Sequence, residues 1–172
     1  ARVPASGPDG SDTQRFLWLS VLIGLCAGLL VVCFHIAIEL TTWWTADQAT
    51  SPWIAVLLPA SGATLAAAIV RYLAPHARGS GIVQTKAALY ASDGHIPASA
   101  APGKFLACSL SIGTGTPLGP EDPALLMGAG LASILGRWFR LSRASMRQVA
   151  PVGAAAGIAA AFNTPITGVL FV

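Results

Sequence analysis

Apolar runs dominate the chain. Three of them carry no Asp, Glu, Lys or Arg: Phe16–Ile38, Gln48–Val70 and Gln148–Val172. As helices rising 1.5 Å per residue, each is long enough to cross a hydrocarbon core of about 30 Å. The first span is read as Phe16–Leu40 and the second as Trp53–Leu73, softened by Pro59 and Gly62. A lone neutral His35 does not forbid the first. Glu39, Trp43 and Trp44 fit an interfacial exit, where indole rings favour the headgroup level. Gly24 and Gly28, and again Gly153 and Gly157, have the small-xxx-small spacing that lets helices pack closely. Beyond residue 78 the apolar runs become short. Gly79-Ser80-Gly81 opens a helix-like patch, Ile82–Tyr90, and Ala91–Gly103 is a turn-rich linker. Lys104–Leu118 is interrupted by Gly113, Gly115 and Pro117. Pro123–Gly136 would be about 21 Å long as a helix, too short to cross alone. Short apolar segments broken by Gly and Pro are the sequence mark of discontinuous helices around a transporter's binding site. Non-helical backbone at that depth requires protein or an aqueous cavity around it. Asn163-Thr164-Pro165 breaks the last run.

Composition agrees with this pattern. The chain is 54% hydrophobic and 10% charged, where a soluble domain carries about 25% charge. The fold class is therefore all-α and integral to a membrane, a multi-span bundle with short broken and re-entrant helices. Residues 1–15 form a polar tail, expected to be disordered and ending at Arg15 on a membrane edge; residues 16–172 form the transmembrane unit. The chain starts at Ala1 and stops at Val172 inside an apolar run, as expected of a piece of something longer. Its ten basic residues lie between the apolar runs, as topology requires, and form no basic stripe with interleaved aromatics, so no nucleic-acid partner is expected. Arg71, Arg78 and Lys86 follow the second span, whereas the loop Thr41–Pro52 has Asp47 and no cation. That asymmetry puts the N-terminus and the 71–86 region in the cytoplasm. Arg137, Arg140, Arg143 and Arg147 fill the next loop. If Lys104–Gly136 crossed once, these arginines would lie outside, against the rule; if it re-enters, they stay inside. Both paths are open. Cys26, Cys33 and Cys108 sit in apolar runs and are read as small buried hydrophobes.

Candidate chemistry gathers at two places, each a Gly-rich coil before a short apolar helix: Gly79-Ser80-Gly81, and Gly119-Pro120-Glu121-Asp122-Pro123. A helix start has unpaired N–H groups and a partial positive charge of roughly half a unit. Two such ends aimed at one point hold an anion without a full positive charge, which would bind it too tightly to conduct. Glycine permits close backbone approach, and the Ser80 hydroxyl adds a donor. Ordinary roles exist for the same residues: Ser80 as an N-cap, Pro120 at the first helical position, and both acids complementing the helix dipole. The cost of a carboxylate inside a membrane favours function for Glu121. For Asp122 both roles stay open, since it could sit at a wetter edge. Other templates do not fit. The glycines at 113, 115 and 119 miss the dinucleotide fingerprint, no P-loop or G-x-S-x-G is present, and His35, His76 and His95 are scattered without carboxylate partners. Neither catalytic residues, metal ligands nor a cofactor are expected.

Gly79-Ser80-Gly81-Ile82, then Gly119-Pro120-Glu121-Asp122-Pro123, then Gly153-Ala-Ala-Ala-Gly-Ile-Ala-Ala-Ala-Phe-Asn-Thr-Pro165 resemble, in order and spacing, the signature stretches of the ClC chloride channel and chloride/proton antiporter family. The resemblance implies one half of an inverted-repeat fold, the N-terminal half of a subunit. It implies a homodimer in the plasma (inner) membrane, with lipid around it and chloride and protons as the transported ligands. Gly79, Ser80, Gly81, Ile82, Gly119 and Glu121 would line the anion site. Ser80 would coordinate the central anion. Glu121 would be the gate, a carboxylate that occupies an anion site and leaves on protonation. Channel and antiporter are both open. Pro120 and Asp122 stand where the family usually has Arg and Gly, and Val83 where it has Pro, which makes Pro120 and Asp122 possible modifiers. Pro120 offers no N–H to an anion, and Asp122 adds negative charge where chloride should pass. The family's inner proton-accepting glutamate would fall just after Val172, and the second half of the anion site lies beyond it, so this stretch alone is not expected to transport. The competing expectation is a degenerate, ClC-like structural or regulatory membrane protein.

Overall fold

The computed structural model describes residues 10–48 and 51–172. Regular structure among them is entirely helical. The helices are α1 (Gly10–Ala46), α2 (Pro52–Ala68), α3 (Gly81–Ala91), α4 (Ala100–Gly113), α5 (Glu121–Trp138), α6 (Arg143–Phe162) and α7 (Pro165–Phe171). A π-helical turn, Ile69–Leu73, and a 3-10 turn, Pro75–Ala77, lead from α2 toward α3.

Helix α1 has 37 residues, about 56 Å. Leu19, Ile23, Ala27, Val31 and Phe34 form one buried stripe at helical spacing, while Trp18, Val21, Leu25, Leu29, Val32 and Ile36 are exposed. A helix that is apolar all round but covered by protein on one stripe only is suited to lipid. His35 satisfies its ring Nδ1 on the Val31 carbonyl one turn back, at 3.0 Å. Gly24 and Gly28 lie beside the buried stripe and meet open space. They are therefore not a packing face within this chain, contrary to their spacing. Helix α1 also begins earlier than the polar composition suggests. Gly10–Arg15 is helical, and the remainder of the expected tail, residues 1–9, lies outside the described residues. Of the three cysteines, Cys33 is exposed rather than buried, and Cys26 and Cys108 are half-buried.

The centre of the bundle is α5. Ala124 to Gly130 are all buried. Ala124 and Met127 share a core cluster with Val31 and Phe34 of α1 and Ala101 of α4, and Ala132 shares one with Leu19, Ile23 and Val149. Helix α5 thus runs antiparallel to α1 and begins level with the middle of it. Against α6 the approach is backbone to backbone: a Cβ on Gly153 would strike the Gly128 carbonyl, and one on Gly157 the Ala124 carbonyl. Here the small-xxx-small spacing does what it implies. Asn163, at φ 54°, ends α6 in the left-handed conformation, and Pro165 starts α7.

The path through residues 104–136 is a return. Helix α4 leaves the Phe34 level and ends at Gly113, whose carbonyl accepts from Thr45 Oγ1 at 2.9 Å. Helix α5 then comes back. The Ile96 N–H donates to Ser133 Oγ at 3.0 Å, and Arg137 donates to the Ile96 carbonyl at 2.9 Å. Exposed Asp93 lies 3.9 Å from both Arg143 and Arg147. The linker before α4 and the arginines after α5 therefore share one end, which Arg15 also joins by lining a hollow with Arg140. The arginines do not fill a loop. Arg137 lies in α5, Arg143 and Arg147 lie in α6, and Arg140 is in the turn between them at φ 53°.

Candidate functional site: a carboxylate held at the mouth of helix α3

The two Gly-rich coils meet. Gly79, at φ 83°, turns the chain into Ser80, the N-cap of α3; positive φ is open to glycine and costly for a residue with a Cβ. Gly81 is buried against the start of α5, where a Cβ would strike the Asp122 carbonyl. The first turns of α3 and α5 are thus pressed together near mid-depth of the bundle, and Lys104 of α4 closes the third side.

Asp122 is the acid that reaches α3. Its Oδ1 accepts from Ser80 Oγ at 2.6 Å and from the Ile82 N–H at 3.2 Å. Its Oδ2 accepts from the Gly81 N–H at 2.8 Å and lies 3.6 Å from Lys104 Nζ. The carboxylate therefore caps α3 in trans, taking the first orphan N–H groups that an N-cap side chain would otherwise satisfy. The Ser80 hydroxyl does not cap its own helix and donates to Asp122 instead. Lys104 Nζ donates to the Gly79 carbonyl at 2.6 Å, and its side chain is only 9% exposed. Asp122 is thus half-buried among donors rather than at a wetter edge.

Glu121 lies one residue away and points elsewhere. Its half-buried carboxylate folds back over Gly119, where a Cβ would strike it. It has no hydrogen-bond or ion-pair partner among the described residues. Gly119 itself is exposed, and Pro120 is the N-cap of α5 rather than its first helical residue. Because Pro120 and Pro123 have no N–H, the mouth of α5 offers only the amides of Glu121 and Asp122. Gly79, Ser80, Gly81, Ile82 and Asp122 form one cluster; Glu121 and Gly119 border it without bonding to α3.

Lys104 is the member that sequence reasoning missed. It opens an apolar segment and so reads as a membrane-edge charge. The available signal was its isolation, since no other Lys or Arg occurs between Lys86 and Arg137. A solitary cation and a nearby acid in such a stretch are each costly unless paired.

The family model described as voltage gated chloride channel matches residues 62–172, a stretch that includes both Gly-rich coils, Lys104 and the α5–α6 contact. The chain belongs to this family. As a member of the voltage gated chloride channel family it is an integral membrane protein. It is 34% identical over 168 residues to the H(+)/Cl(-) exchange transporter ClcA of Vibrio cholerae serotype O1, covering 91% of this chain and 35% of that protein. It is 33% identical over 168 residues to the transporter of the same name from Citrobacter koseri, with 91% of this chain and 35% of that protein covered. The crystal structure of a slow cyanobacterial Cl-/H+ antiporter superposes with a TM-score of 0.78 at 28% identity, over 90% of this chain and 38% of that one. A CLC-type fluoride/proton antiporter shares the fold, with a TM-score of 0.81 at 22% identity, over 96% of this chain and 40% of that one. The chain spans about a third of the length of the curated relatives it matches.

Proposed function

We propose that this chain is the N-terminal half of a ClC-type subunit that moves chloride across a membrane in exchange for protons, a transporter rather than an enzyme. The observation that carries the reading is the mouth of α3: Ser80 Oγ and the Gly81 and Ile82 amides converge on one carboxylate near mid-depth of the bundle. A place that holds a carboxylate by hydrogen bonds to a helix start can hold another small anion by the same donors. Family membership and the likeness to proton-coupled chloride exchangers support chloride as the anion. In this account Gly79, Ser80, Gly81, Ile82 and Gly119 line the pathway. Glu121 carries the proton: it borders the seat and has no partner among the described residues, so gaining or losing a proton breaks no bond to them. The whole protein is a homodimer in the plasma (inner) membrane, with the N-terminus and the basic end of the bundle cytoplasmic, as the positive-inside rule requires.

The test uses the complete subunit in liposomes. A chloride gradient should drive proton movement. Glu121→Gln should keep chloride flux, abolish its coupling to protons and flatten its pH dependence. Chloride flux with an unchanged pH dependence in that variant would remove Glu121 from the mechanism.

A second reading, a membrane protein that keeps the scaffold without transporting, draws on Asp122 filling the seat. It predicts no saturable chloride binding by the complete protein.

A further inference from the structure

The seat at the mouth of α3 is already taken. Its donors are the Ser80 hydroxyl and the Gly81 and Ile82 amides, and the Asp122 carboxylate uses all three. A halide held by those donors would have to lie where Oδ1 and Oδ2 now lie. We propose that Asp122 is a tethered anion that competes with the transported halide for the mouth of α3, so that the halide enters only when the Asp122 side chain swings out. The proposal rests on the reading above that this mouth is the anion seat, and gives it a second acid besides Glu121.

Lys104 makes the competition one-for-one. Its side chain is nine-tenths buried, and Asp122 is the only carboxylate within 4 Å of its ammonium among the described residues. One of its three N–H groups is used by the Gly79 carbonyl. A buried cation needs an anion beside it. With Asp122 in place the pair is neutral; with a halide in place of Asp122 it is neutral again. Both anions together would leave an excess negative charge beside a single cation, and neither would leave Lys104 uncompensated. The seat therefore exchanges one anion for the other.

The local backbone fixes how the exchange happens. Pro120 and Pro123 flank the two acids and restrict the chain there, and Gly81 is pressed against the Asp122 carbonyl. Separating α3 from α5 would break that contact. Rotation about the Asp122 side chain's own bond does not. The side chain is 30% exposed, so it has an open side to turn toward.

Sodium bromide titrated calorimetrically into the purified complete protein tests this. Asp122→Gly should bind bromide at least tenfold more tightly than wild type. Its thermal unfolding temperature should rise with bromide concentration more steeply than that of wild type, because a ligand binding only the folded state stabilises it. Asp122→Asn keeps the size and removes the charge, so it guards against a folding defect in the glycine variant. It should also bind more tightly than wild type. Equal, saturable binding by wild type and both variants would overturn the competition and leave the anion seat standing. Absence of saturable binding in all three would overturn the seat and the competition together.

Discussion

Replacing Lys104 with Met in the Asp122→Gly background should lower bromide affinity at least tenfold, and the loss should not be recovered by raising pH. The ammonium lies 3.6 Å from the carboxylate oxygen it pairs with. At about 4 Å, two unit charges interact by about 4 kcal/mol at an effective dielectric of 20. Solvent at the open side of the seat reduces that figure, but 1.4 kcal/mol is enough for a tenfold change. Methionine keeps the length and apolar stem of the side chain, so the packing of α4 is largely retained. In the otherwise wild-type chain the same substitution leaves Asp122 with three hydrogen-bond donors and no cation. That single variant should be destabilised, since breaking a partly buried pair strands the remaining charge. Calorimetry on the double variant and thermal unfolding of the single one separate the two effects. An affinity unchanged by Lys104→Met would mean that the helix mouth alone holds the anion.

The second large effect is structural. Gly153→Leu should lower stability by at least ~3 kcal/mol, at the upper end of what overpacking costs, and should prevent accumulation of monodisperse protein in detergent. Even the Cβ of alanine would strike the Gly128 carbonyl across the α5–α6 contact. The obstacle is backbone, so no side-chain rotation relieves it. Helix α6 would have to move away from α5, disturbing the core made by Leu125, Leu126, Ala154 and Ile158 and tilting the helix start that carries Asp122. Gly24→Leu is the matched control, because Gly24 faces open space within the chain. It should unfold within about 1 kcal/mol of wild type, the difference reflecting helix propensity. Equal losses in the two variants would contradict the packing described here.

Much of the bundle was legible because hydrophobicity and backbone chemistry are local signals. The uncharged runs located α1 and α2, although α1 extends at both ends beyond its run Phe16–Ile38, from Gly10 to Ala46; Asn163-Thr-Pro165 marked the break between α6 and α7, and the Gly153–Gly157 spacing marked a close contact. The return path of α4 and α5 was not legible. Charge counting leaves it open, and it is decided by contacts such as Ile96 with Ser133, which lie far apart in sequence. Two starts of α5 were open in the sequence, one at Pro123 and one whose first turn holds both acids. The structure takes the second, with Pro120 as the N-cap and Glu121 and Asp122 in the first turn, where a nearby proline is tolerated because its N–H is not needed.

The site was legible in its parts and not in its pairing. Glycine-rich coils before apolar helices pointed to Ser80, Gly81 and Ile82, and the cost of burying a carboxylate pointed to the acids. Sequence could not say which of two adjacent acids turns toward α3. That choice follows from a side-chain direction set by the packing of α5 against α3. Likewise the Lys104–Asp122 pair joins residues on different helices and has no periodic signature.

Most directly, the account can be tested by anomalous diffraction from crystals of the complete protein grown in bromide, wild type beside Asp122→Gly. The variant should show a bromide peak within hydrogen-bonding distance of Ser80 Oγ and the Gly81 and Ile82 amides, where wild type shows the Asp122 carboxylate. Ordered bromide elsewhere in the variant, with none at the mouth of α3, would contradict it.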